Sequence, residues 1–110
     1  MSKKYALAID LVNDPTMIAA YEKHHQSVHA DIRKSITDAG VEVMDIYRFE
    51  NRLFMIMEVN DNFSFELKES MDAANAAVQS WEALMWKYQQ AIPGAKPGEK
   101  WVLMKQIFEL

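Results

Sequence analysis

Residues Arg52 to Val59 read Arg-Leu-Phe-Met-Ile-Met-Glu-Val, and every position from Leu53 to Met57 is apolar. A surface helix would show polar residues at three- and four-residue steps, and a half-buried strand would alternate. A short unbroken apolar run bounded by turn residues is a strand covered on both faces. Just before it stands Glu50-Asn51, a tight hairpin turn in which Asn tolerates positive φ. Val41 to Phe49 then forms the other arm of the hairpin. The chain must therefore build a sheet whose central strand has a layer against each side.

The remaining segments say how much of that cover the chain provides. Tyr5, Leu7, Ile9 and Leu11 alternate with Ala6, Ala8 and Asp10, the period of a strand. Asp14 suits a helix N-cap and Pro15 the first helical position, where a missing N–H does no harm. A helix is predicted from there toward Ala39, stopped by the left-handed Gly40. Ser64 caps a second helical region, and Asn75 caps a further segment ending near Gln90. In that segment Val78, Trp81, Met85, Tyr88 and Ile92 share one apolar face. Pro93-Gly94 and Pro97-Gly98 mark a loop, and Trp101 to Phe108 reads as a last strand. The order β-α-β-β-α-β predicts an α+β, ferredoxin-like antiparallel sheet with helices on one face, in a single domain over residues 1–110. No segment is left to cover the other face. A second copy is the expected cover, giving a dimeric α+β barrel and a homodimer.

Composition removes several function classes. The formal net charge is −4 with no basic stripe, which argues against nucleic-acid binding. The chain has no cysteine, so disulfides and thiolate metal sites are out of reach, and a reducing compartment fits. Asp10 falls too early for the apolar core of a signal peptide, and no stretch is long enough to cross a bilayer. A cytoplasmic protein with no membrane partner is expected.

Chemistry concentrates on the first predicted helix. Tyr21, His25 and His29 are spaced i, i+4, i+8 and line one stripe, beside Val28 and Ile32. A histidine on that apolar side is either a core residue satisfied by a backbone carbonyl or a general acid–base group in a pocket between helix and sheet. The pattern alone leaves both open. A metal is not expected: Gln26 follows His25, so there is no HExxH motif, and no spacing supports a third ligand. His24 lies about 100° round the helix from His25 and is expected to be more exposed.

Taken in order, several stretches resemble the L-rhamnose mutarotase family. They are Tyr21-Glu22-Lys23-His24-His25, the hairpin Met44-Asp45-Ile46-Tyr47 with Arg52 to Glu58, Met85-Trp86-Lys87-Tyr88, and Gln106-Ile107-Phe108. The resemblance spans nearly the whole chain. Asp45-Ile46-Tyr47-Arg48, Phe63-Ser64-Phe65-Glu66, Met71 to Asn75, Trp81 to Trp86 and Pro97 to Met104 are closer to its L-fucose branch. The rhamnose branch has a tyrosine where Met44 stands and a first tryptophan where Met85 stands, both substrate contacts there. Relatives carry tryptophan, proline and glutamate where this chain has His29, Ala30 and Asp31, so the pocket wall there differs.

The resemblance implies a cofactor-independent isomerase acting on a monosaccharide, a 6-deoxy-hexose with L-fucose ahead of L-rhamnose. His25 is then the catalytic proton shuttle, and Tyr21, Met44, Met85 and Trp86 contact the sugar. Mutarotation already proceeds in water, so positioned acid–base groups, contributing about 10²–10⁴-fold each, suffice without metal or cofactor. Asp45 is an acid by type, but strand alternation turns it away from Met44, and the second proton-transfer group stays unassigned. The same strand order also hosts dimeric α+β-barrel oxygenases and non-catalytic ligand-binding modules, which fold alone does not separate.

Overall fold

The computed structural model describes residues 3–110. The elements are β1 (Lys3–Leu11), α1 (Pro15–His25), α2 (Ala30–Asp38), β2 (Val41–Phe49), β3 (Arg52–Val59), α3 (Phe65–Ala73), α4 (Ala76–Trp86), β4 (Gln89–Gln90) and β5 (Val102–Leu103). The sheet has five strands in the order β2-β3-β1-β4, and β5 also pairs with β1. All pairings are antiparallel. The apolar run of β3 is central, as its composition demands.

Register decides which side chains share a face, because cross-strand partners point the same way. Leu7 faces Met55, Ile9 faces Leu53, and Met44 and Ile46 face Met57 and Met55. This inner face meets the helices. Ile9 and Leu11 are fully buried there with Tyr21, Leu53 and Met85, while Leu7, Val41, Met57 and Val59 build the adjoining cluster. The outer face carries Ala6, Ala8 and Asp10 from β1, Phe54 and Ile56 from β3, and Val43, Asp45, Tyr47 and Phe49 from β2. Among the described residues no helix covers it, and Tyr47 and Phe49 remain 61% and 73% exposed. Asp10 is buried on this face. Its charge is met by Arg52, whose Nε and Nη2 donate to the two carboxylate oxygens at 2.7 and 3.1 Å.

The helix caps fall where the sequence put them. Asp14 accepts from the amides of Thr16 and Met17, Ser64 from Leu67, and Asn75 from Ala77 and Val78. Gly40 takes φ +101°, and a Cβ there would sit 2.5 Å from Asn60 Oδ1.

Other expectations need correction. The helix predicted through Ala39 breaks after His25. Gln26 closes α1 through Lys23 O, and His29 adopts ψ 143° while its Nδ1 accepts from the Asp31 amide, so His29 starts α2 as a cap. The Tyr21–His25–His29 stripe is cut, and the His29 side chain is 73% exposed. The turn residue with positive φ is Glu50 (54°), not Asn51, whose Nδ2 instead donates to Leu11 O. The segment expected to stay helical to Gln90 ends at Trp86, and Gln89–Gln90 pairs with the end of β1. The last strand is only Val102–Leu103. The amide of Met104 still donates to Ala6 O, and beyond it residues 105–110 have no strand partner among the described residues.

Candidate active site

The site grows from the last turn of α1. The Asp14 cap and Pro15 set where this helix begins, and four-residue spacing then stacks Tyr21 under His25 on the side facing the sheet. His25 is half-buried. Its Nδ1 lies 2.9 Å from Tyr21 O. A carbonyl oxygen can only accept, so Nδ1 carries the proton and donates it to this bond. In the neutral imidazole Nε2 is then the nitrogen without a proton, the one able to take a proton from a bound molecule. The ring packs on that of Tyr21 (centroids 4.5 Å apart) and meets Trp81 edge to face at 5.4 Å, so orientation and tautomer are both held.

Tyr21 is 3% exposed, and its hydroxyl oxygen accepts from Gln89 Nε2 at 3.2 Å. Burial pushes the phenol pKa above its ordinary 10.0, with the Gln89 hydrogen bond opposing that rise. The hydroxyl is therefore neutral at physiological pH and keeps its own proton to donate.

Both residues open onto a cleft of about 1220 Å³ between the inner sheet face and the helices. Small-molecule sites commonly span roughly 300–1,000 Å³, so a ligand of that class fits with room to spare. Met44 enters it from β2, Trp81 and Met85 from α4, and Trp101 from the segment before β5. Glu82 and Asp72 also line it, and Asp72 Oδ2 accepts from Lys68 Nζ at 2.6 Å. The combination is one oriented base, one neutral donor and apolar aromatic and thioether walls, which suits proton transfer on a small polyhydroxylated molecule with an apolar side.

Of the residues singled out from sequence, Tyr21, His25, Met44 and Met85 come together at this cleft. Trp86 does not. It lies about 100° round α4 from Met85, is 40% exposed, and has Lys100 Nζ 5.0 Å from its ring centroid. Trp81, four residues before Met85, occupies the cleft side instead. The i, i+4 spacing to Met85 was the signal for it. Gln89 and Trp101 had no such signal. His24 is half-buried like His25, rather than more exposed, and pairs with Tyr88 Oη at 3.3 Å. Asp45 points to the outer face beside Ile56, as alternation required.

Comparison with known proteins gives a consistent picture. The profile of the L-rhamnose mutarotase family matches residues 4–110. An L-fucose mutarotase from Xanthomonas campestris pv. campestris is 37% identical over 110 residues, covering 98% of this chain and 88% of that protein. A UPF0734 protein from Dictyostelium discoideum is 31% identical over 112 residues, covering 98% and 90%. Among solved structures, an L-rhamnose mutarotase from Formosa agariphila superposes with a TM-score of 0.73 at 19% identity, covering 98% of both chains. The tetracenomycin F2 cyclase of Streptomyces glaucescens superposes with a TM-score of 0.59 at 14% identity, covering 98% of this chain and 96% of that one. At those identities the two structures speak for the fold alone.

Proposed function

The chain belongs to the L-rhamnose mutarotase family, and on that premise we propose that it interconverts the α and β anomers of a 6-deoxy-hexose, L-fucose first. The observation that carries the chemistry is the bond from His25 Nδ1 to Tyr21 O, which presents Nε2 as a base. Nε2 takes the proton from the anomeric hydroxyl as the bond between the anomeric carbon and the ring oxygen breaks. The imidazolium passes the same proton to the ring oxygen, which is bonded to the same carbon and within reach of the same nitrogen. The open aldehyde rotates about its C1–C2 bond and closes on the other face by the reverse steps. No electrons leave or enter, and no cofactor is needed.

Tyr21 acts through two different atoms in this scheme. Its carbonyl orients the imidazole, and its hydroxyl donates to a sugar oxygen. Met44, Met85, Trp81 and Trp101 give apolar walls for the carbon-bonded hydrogens and the C6 methyl group. L-fucose ranks ahead of L-rhamnose for two reasons. One is the identity to the Xanthomonas L-fucose mutarotase. The other is methionine at positions 44 and 85, where the rhamnose branch has tyrosine and tryptophan. A homodimer accounts for the uncovered outer face, where Val43, Tyr47, Phe49 and Ile56 are exposed.

The test is a comparison of anomer exchange by NMR saturation transfer on L-fucose, L-rhamnose, D-ribose and D-galactose with one preparation. Fastest exchange on L-fucose supports the reading. Fastest exchange on L-rhamnose moves the substrate within the family, and no acceleration on any of them removes the activity.

A further inference from the structure

The proposed chemistry asks the Tyr21 hydroxyl to donate, and a phenol has a single proton to give. Which way that proton points depends on what stands beside the oxygen. A carbonyl or carboxylate neighbour takes the proton for itself. An N–H neighbour occupies a lone pair instead and leaves the proton to be used elsewhere. The neighbour in this structure is Gln89, whose Nε2 donates to Tyr21 Oη at 3.2 Å. Among the described residues no group of the chain accepts the phenol proton.

The fold decides which of two consecutive glutamines supplies that N–H. Gln89 pairs with Leu11 and Gln90 with Asp10 where β4 meets β1. Cross-strand partners point the same way. Leu11 is fully buried on the inner face in one cluster with Tyr21, so Gln89 turns inward and lines the cleft. Asp10 belongs to the outer face, so Gln90 turns away from the site. The backbone beside Gln89 is tied down. Tyr88 O accepts from the Val12 amide at 2.8 Å, and the Tyr88 amide donates to Met85 O at 2.9 Å. The Tyr88 ring also meets that of Tyr21 edge to face, with centroids 6.3 Å apart. The two-residue strand β4 thus delivers one amide side chain to the phenol.

We propose that Gln89 is a positioning residue for mutarotation: its Nε2–H occupies a lone pair of Tyr21 Oη and so turns the phenol proton toward a sugar oxygen in the cleft. This rests on the proposed mutarotase activity and deepens it. Gln89 sets which way Tyr21 donates, as Tyr21 O sets which nitrogen of His25 accepts. The pair is thereby held in opposite senses, one side chain to donate a hydrogen bond and the other to take a proton.

The experiment replaces the donor by an acceptor of nearly the same shape. At about pH 8 the carboxylate of Gln89→Glu can only accept, so it captures the Tyr21 proton. Gln89→Leu, which neither donates nor accepts, is measured beside it and carries the same comparison if the glutamate variant does not fold. Each variant is made alone and combined with Tyr21→Phe. Anomer exchange is followed by NMR saturation transfer on the sugar that wild type exchanges fastest. The Raman tyrosine doublet has a high intensity ratio for an accepting phenol and a low one for a donating phenol. It is read for Tyr21 as the difference between each protein and its Tyr21→Phe counterpart. Gln89→Glu should slow exchange about five- to tenfold, the loss of one neutral hydrogen bond. It should add no further loss to Tyr21→Phe, and it should move the doublet toward the donating pattern. Gln89→Leu should lose less, because the hydroxyl keeps a proton that nothing aims. Wild-type exchange in Gln89→Glu, an unmoved doublet, an equal loss in Gln89→Leu, or a loss that persists in the Tyr21→Phe background each overturns the positioning role and leaves the activity standing. A wild-type chain that accelerates no anomer exchange removes the activity reading and the role with it.

Discussion

Tyr21→Phe separates the two jobs assigned to one residue. The substitution deletes the hydroxyl and leaves the carbonyl that holds His25 Nδ1 at 2.9 Å. In the folded protein the hydroxyl accepts one hydrogen bond, from Gln89 Nε2 at 3.2 Å. A neutral bond of that kind is worth about 1 kcal/mol net, and Gln89 is half-buried and can reach water instead. Urea denaturation should therefore show about 1 kcal/mol lost, roughly 4 °C in Tm for a chain of this size. A second neutral bond, from the hydroxyl to a sugar oxygen, adds a loss of about five- to tenfold in exchange rate. The His25 tautomer is unchanged, because the backbone carbonyl of Tyr21 sets it. Alkaline stability changes too. Burial raises the Tyr21 pKa above 10.0, so above that pH the unfolded chain gives up a phenol proton that the folded one retains. This contribution is fully present below about pH 10 and is lost as pH rises through the folded pKa. Tyr21→Phe removes that part of the alkaline loss. Anomer exchange abolished as completely as by loss of the imidazole, with an altered pH profile, would refute the reasoning and make the Tyr21 hydroxyl a proton-transfer group.

Other substitutions test the placement of the site. Trp81→Ala, at the cleft, should raise the KM for L-fucose well above that of Trp86→Ala, which lies outside it and is expected to behave like wild type in steady-state exchange. Asp14→Ala removes the cap that accepts from Thr16 and Met17 at 2.8 and 3.1 Å, and should lower stability by about 1 kcal/mol in urea while leaving exchange intact in the folded fraction. Gly40→Ala forces a Cβ into a φ of +101° and against Asn60 Oδ1, and should lose about 2 kcal/mol or more, read from the urea midpoint.

Local rules carried most of the fold. The apolar β3, the caps at Asp14, Ser64 and Asn75 and the stop at Gly40 each depend on neighbours in sequence, and each appears in the structure. What was illegible depends on competition or on distant partners. Periodicity favours helix through residues 26–29, but the His29 side chain caps the Asp31 amide and wins locally. Strand propensity marks residues 101–108, yet a strand exists only where an edge is available, and the edge of β1 is shared with β4. The short β4 has the polar sequence Gln89-Gln90 and announces nothing. In the site, helix spacing was enough to pair Tyr21 with His25. The pairing through Tyr21 O, the edge of Trp81 and the hand of Gln89 required the fold. Trp86 shows the limit of carrying a motif across, since one position round α4 exchanges cleft for solvent.

The central claim is that His25 Nε2 moves the proton between the two oxygens on the anomeric carbon. His25→Ala, checked for native structure by its near-UV spectrum, should lose enzyme-dependent anomer exchange of L-fucose in NMR saturation transfer, with the α and β signals exchanging only at the rate seen in buffer. A folded His25→Ala protein that still exchanges the anomers at the wild-type rate would contradict the account.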